Sequence, residues 1–134
     1  MQKKRLKKTY FPLLAASGWF ILSIILLTLP GTAFPKENWL DKIQLDKWIH
    51  IGMFSIMVFL WCMTWKSAET AKNFQQLKKT FILIAILCLC YGIGMEFIQK
   101  YFVPLRSFDV GDIIADAVGC GVGLIYSTRR YIKK

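Results

Sequence analysis

Residues 11–29 run for nineteen positions without a charged side chain. A hydrocarbon layer of about 30 Å is crossed by roughly 17–25 helical residues. This one stretch therefore makes a bilayer, rather than water, the solvent in which the chain must fold. Three further stretches repeat the pattern. Residues 49–65 hold His50 as their one group that ionises near neutrality, residues 81–101 stay apolar until Glu96, Gln99 and Lys100, and residues 113–128 carry Asp116 among several glycines. Backbone inside hydrocarbon must satisfy its own hydrogen bonds, which leaves helices or a closed barrel, and the runs lack the two-residue alternation of barrel strands. The expectation is an all-α chain, a four-transmembrane-helix bundle, with spans near 11–29, 48–65, 80–101 and 112–128 in a single domain over 1–134. A cleaved leader is the competing reading of the first stretch, since Gly31-Thr32-Ala33 follows a basic start and an apolar run. Nineteen residues exceed the roughly 7–15 of a signal core, so a span is preferred.

Charge sets the orientation. Eighteen Lys and Arg stand against eight Asp and Glu, a net charge of +10. Thirteen of the basic residues lie on the side holding the amino terminus, the connection between spans two and three and the carboxyl terminus; Lys36, Lys42, Lys47, Lys100 and Arg106 lie on the other. Excess Lys and Arg mark the cytoplasmic side, so both termini are expected in the cytoplasm. These basic segments flank spans and lack the interleaved aromatics on which bases stack, so membrane lipids, and no nucleic acid, are the expected partners. Trp19, Trp39, Trp48, Trp61 and Trp65 fall mostly near run ends and read as interfacial anchors. Cys62, Cys88, Cys90 and Cys120 all fall within spans. Cys88 and Cys90, two apart on a helix, face away from each other, and the four read as small packing residues.

The acids carry the functional signal. In this orientation Glu69 alone is cytoplasmic, and Glu37, Asp41, Asp46, Glu96, Asp109, Asp112 and Asp116 fall outside or in the outer part of the membrane. Asp46 and His50 share a face of the second span, Glu96 and Gln99 share one on the third, and Asp109, Asp112 and Asp116 form a stripe on the fourth. A charge at mid-bilayer costs about 2.5–3.5 kcal/mol on insertion scales, so these groups should turn inward and meet, with Lys47 and Arg106 as candidate cationic partners. The result would be a polar pocket on the outer side, built from Asp46, Lys47, His50, Glu96, Gln99, Arg106, Asp109, Asp112 and Asp116. Helix capping competes at Asp109, at Asp112 and at Asp46. Ala115, Gly119 and Gly123, every fourth residue, and Gly92 read as close helix packing, with homo-oligomerisation as the alternative.

These residues resemble the VanZ-like family of small membrane proteins, named for a determinant of teicoplanin resistance. Two elements carry the likeness: Asp46-Lys47-Trp48-Ile49-His50, and a longer pattern running through Gly92, Glu96, Gln99, Arg106, Asp112, Asp116 and Gly119. It covers about residues 10–130. Members often have Asn at the position of Asp116 and Tyr at that of Phe54. The resemblance implies a multi-pass protein of the bacterial inner (cytoplasmic) membrane with an outward polar site, and it does not supply a reaction.

Two functions follow as expectations. The first is a binding protein for an envelope lipid, a cell-wall precursor or a glycopeptide, with Arg106 and Lys47 on anionic groups. The second is an intramembrane enzyme acting on an envelope lipid or cell-wall substrate, in which one imidazole and the carboxylates hold a divalent ion. No familiar zinc spacing is present, no cofactor is expected, and whether the chain is an enzyme stays open. Proton translocation ranks below both, because the polar groups stop in the outer part of the spans.

Overall fold

The computed structural model describes residues 2–33, 38–68 and 73–133. Glu37, Glu69, Lys36, Lys72 and Lys134, assigned to loops or an end above, lie outside them, as do the side chains of residues 2–9 and of Asp41. Five α-helices and one 3-10 turn follow in order: α1 Gln2–Thr28, the 3-10 turn Gly31–Ala33, α2 Asn38–Lys42, α3 Leu45–Ala68, α4 Phe74–Phe102 and α5 Val110–Tyr131. Four of them, among the described residues, are long and apolar enough to cross a bilayer: Tyr10–Thr28, Leu45–Ala68, Phe74–Phe102 and Val110–Tyr131. The helices outrun the apolar stretches, and the starts of α4 and α5 are capped. Asn73 accepts from the backbone N–H groups of Gln75 (3.0 Å) and Gln76 (3.4 Å) at the start of α4. Asp109 accepts from that of Gly111 (2.7 Å) at the start of α5, and Arg129 and Arg130 occupy its last turn, where cations offset the helix dipole.

The bundle is apolar outside. Leu13, Leu14, Ile21, Ile25, Leu83, Ile86, Leu87, Ile114, Val118, Val122 and Ile125 are exposed, while Ser23, His50, Glu96, Gln99, Asp112, Asp116 and Ser127 are buried with the core of Phe54, Met57, Val58, Cys62 and Phe81. Such a surface suits hydrocarbon, and the chain is a multi-pass membrane protein. Cys62, Cys88 and Cys120 join the core, and Cys90 faces outward. Of the tryptophans, Trp39, Trp48 and Trp65 are exposed. Trp19 instead donates its indole N–H to the carbonyl of Met53 (3.0 Å), tying α1 to α3.

Small residues bring α3 and α5 together. A Cβ at Gly119 would lie 2.6 Å from the carbonyl oxygen of Ile51, and one at Gly123 would lie 2.6 Å from that of Ser55. The Ser55 hydroxyl bridges the contact, donating to the carbonyl of Ile51 (2.7 Å) or of Gly119 (3.0 Å). Ala115 is buried on the same stripe. At the far end of α1, the backbone N–H of Gly31 donates to Pro104 (3.3 Å) and the Gln99 amide to Leu27 (2.8 Å). The end of α1, the start of α3, the end of α4 and the start of α5 thus share one end of the bundle, opposite the chain termini.

Candidate functional site

That shared end holds the polar cluster, and each member is placed by its helix. The first turn of α3 carries Asp46 and Lys47, and His50 lies one turn deeper. Glu96 is on the last turns of α4; Asp112 and Asp116 are on the first two turns of α5. Three helices therefore converge at one depth, and His50, Glu96, Asp112 and Asp116 are only 5, 1, 6 and 1% exposed.

The contacts resolve into two layers. In the upper layer Lys47 Nζ donates to Asp109 Oδ2 (3.0 Å), Asp112 Oδ1 (3.2 Å) and Asp46 Oδ2 (3.4 Å). The Lys47 ammonium holds the carboxyl of Asp109 below the ordinary carboxylate range against the opposing pull of partial burial, with help from the backbone N–H of Gly111. Asp109 thus caps α5 and pairs with Lys47 at once. Its own backbone N–H donates to Glu96 Oε2 (3.0 Å), locking the end of α4 to the start of α5.

In the lower layer His50 Nδ1 lies 2.7 Å from Asp116 Oδ1. A carboxylate accepts, so Nδ1 carries the proton, and in the neutral ring Nε2 keeps its lone pair. Nε2 faces Asp112 Oδ2 across 3.8 Å, beyond hydrogen-bond length. One ligand atom each from His50, Glu96 and Asp112 falls within 4.8 Å of the others, and so does a more exposed set from Asp46, Asp109 and Asp112. An imidazole held by a carboxylate can orient a substrate proton, bind a metal or shuttle a proton.

The structure brings together Asp46, Lys47, His50, Glu96, Asp109, Asp112 and Asp116. Gln99 turns away to the carbonyl of Leu27, satisfying the end of α1. Arg106 is half-buried on the α4–α5 connection, three residues before Asp109. Asp46 stands inside the first turn of α3 rather than before it, since the helix starts at Leu45 after Gln44 at φ 50°. Gly92 does more than pack helices: a Cβ there would sit 2.5 Å from Asp116 Oδ2 and 3.0 Å from Phe54 Cζ. Two residues escaped the sequence reading of the site. Phe54, stacked on His50 with ring centroids 6.4 Å apart, is signalled by its four-residue spacing from His50. Gly111 leaves the path that the Lys47 side chain takes, since a Cβ there would lie 2.6 Å from Lys47 Cε. Its signal is a glycine between two acids.

The sequence model of the VanZ/LLP1 family matches residues 8–130. A protein of the fission yeast Schizosaccharomyces pombe, described as an uncharacterized protein, is 30% identical over 94 residues, which are 66% of this chain and 52% of the relative. The chain thus spans about half the length of that relative. No solved structure matches.

Proposed function

The chain belongs to the VanZ/LLP1 family, and on that premise we propose that it binds the polar head of an envelope molecule at the clustered end of its bundle. In this reading it lies in the bacterial cytoplasmic membrane with both termini inside, as the thirteen-to-five division of its basic residues favours. The clustered end then faces outward. The observation that carries the reading is the meeting of Lys47, His50, Glu96, Asp112 and Asp116, from three helices, beneath one surface. His50, Glu96, Asp112 and Asp116 are four near-fully buried titratable groups, costly in a bilayer protein, and the N-cap of α5 is Asp109 rather than any of them. The carboxylates accept hydroxyl or amine protons, and the Lys47 ammonium, which already reaches Asp46, Asp109 and Asp112, serves a phosphate or carboxylate oxygen that displaces one of them. The ligand is an envelope lipid, a cell-wall precursor or a glycopeptide. A lipid is favoured because it reaches the site from the bilayer.

The test is a thermal shift of the full chain in detergent with three probes: phosphatidylglycerol, a polyprenyl phosphate and teicoplanin. One probe should stabilise the wild type and lose that effect in Glu96→Gln and Lys47→Met. A shift with none of them, or equal shifts in both variants, refutes the reading.

A second reading, an intramembrane enzyme for the same class of molecule, is favoured by one observation. The buried His50–Asp116 pair at 2.7 Å has the geometry of a general base held in one tautomer. Turnover of one of those probes, abolished in His50→Gln, would establish it.

A further inference from the structure

We propose that His50, Glu96 and Asp112 form a divalent-metal site, with zinc the best-fitting ion and Asp116 as the positioning residue behind the histidine. The case rests on how each side chain divides its polar atoms. His50 gives Nδ1 to Asp116 (2.7 Å) and keeps Nε2. Asp112 gives Oδ1 to Lys47 (3.2 Å) and keeps Oδ2. Glu96 gives Oε2 to the backbone N–H of Asp109 (3.0 Å) and keeps its other oxygen. In every case one atom is fixed by an orienting partner and one remains for a ligand.

Metal-binding histidines have this arrangement: the far ring nitrogen donates to a carboxylate, which fixes the tautomer and raises ligand basicity. The pair His50 Nε2 and Asp112 Oδ2, 3.8 Å apart, is spaced for one ion with bonds of about 2.0–2.2 Å to each. One ligand atom each from His50, Glu96 and Asp112 lies within 4.8 Å of the others. One nitrogen and two oxygens suit a borderline ion, and three protein ligands leave a fourth position for water or for a head-group oxygen.

His50 Nε2 is what separates this set from a group of acids. It belongs to a side chain only 6% exposed, it faces Asp112 across 3.8 Å, and it has no acceptor or donor within hydrogen-bond reach among the described contacts. A cation would also neutralise carboxylates that Lys47 reaches only in part, since its ammonium is shared with Asp46 and Asp109. The site shares His50, Glu96 and Asp112 with the head-group reading, but zinc binding is measured with no head group present, so either can fail without the other.

Zinc alone is the probe. The full-length protein in detergent is stripped with a chelator, titrated with zinc by calorimetry, and its retained metal is counted after desalting. The wild type should hold one ion per chain. His50→Ala and Glu96→Gln should abolish retention, and Asp116→Asn, which keeps the ring but loses the carboxylate behind it, should weaken affinity by about 10–100-fold. Asp46→Asn, in the alternative exposed set, should bind as the wild type does. Circular dichroism and monodisperse elution establish that each variant is folded. No retained zinc in the wild type overturns the proposal. So does loss of binding in Asp46→Asn with binding preserved in His50→Ala, which would move the ion to the exposed set.

Discussion

Replacing His50 by leucine tests whether the cluster is paired or merely crowded together. Asp116 is 1% exposed, its Oδ1 accepts from His50 Nδ1 at 2.7 Å, and its Oδ2 lies so close to Gly92 that a Cβ there would be 2.5 Å away. Removing one member of such a buried pair costs about 3–5 kcal/mol, about a fifth or more of a typical domain's 5–15 kcal/mol. Asp116→Leu should cost less, about 1–3 kcal/mol, because a neutral imidazole is the smaller orphan. The double variant removes both polar groups and should recover most of the loss, since apolar replacement of a buried pair is often neutral. The assay is reversible unfolding of the full chain in mixed micelles with rising dodecyl sulfate, followed by circular dichroism with chelator present. A cycle that is additive to within about 0.5 kcal/mol would refute the pairing.

Other expectations follow from particular contacts. Gly119→Leu pushes a side chain into the carbonyl of Ile51 and should cost about 1–3 kcal/mol in the same unfolding assay, whereas Gly121→Ala, with nothing within 4 Å of its Cβ, should be tolerated. The depressed Asp109 carboxyl contributes stability that is fully present above its ordinary value of 3.8 and is lost as pH falls below it. The melting temperature should therefore fall on acidification through that range, and Asp109→Asn should flatten that part of the profile. In a chain with its four cysteines replaced, Ser107→Cys should react with an impermeant maleimide added outside intact cells and Lys133→Cys only after lysis. The reverse pattern would overturn the outward orientation.

The spans and the polar stripes were legible because both are local. A hydrocarbon-length run needs only its own residues, and i, i+3 and i+4 spacing already aligns Asp112 with Asp116 and Glu96 with Gln99. The sequence offers Lys47 as a candidate partner for the acids, but not which side chain meets which. Gln99 shares the face of Glu96, yet its amide reaches Leu27, seventy-two residues away, because the rotation of α4 against α1 decides which neighbour it finds. The dual role of Asp109 was hidden for a similar reason: capping is written in Asp-Val-Gly-Asp, but the partner Lys47 comes from another helix. The split of Asp112 between Lys47 and His50 likewise depends on the close approach of α3 to α5 at Gly119 and Gly123. Small residues every four positions announce such an approach without saying which helix supplies the partner.

The chain has one histidine, so its ring can be observed alone. Nitrogen-15 magnetic resonance of histidine-labelled protein in lipid bilayers resolves the two ring nitrogens of His50. The account predicts a protonated Nδ1 in a short hydrogen bond, protected from exchange with bulk water and altered by Asp116→Ala. A ring that exchanges as a free imidazole does, and that is indifferent to Asp116→Ala, would contradict it.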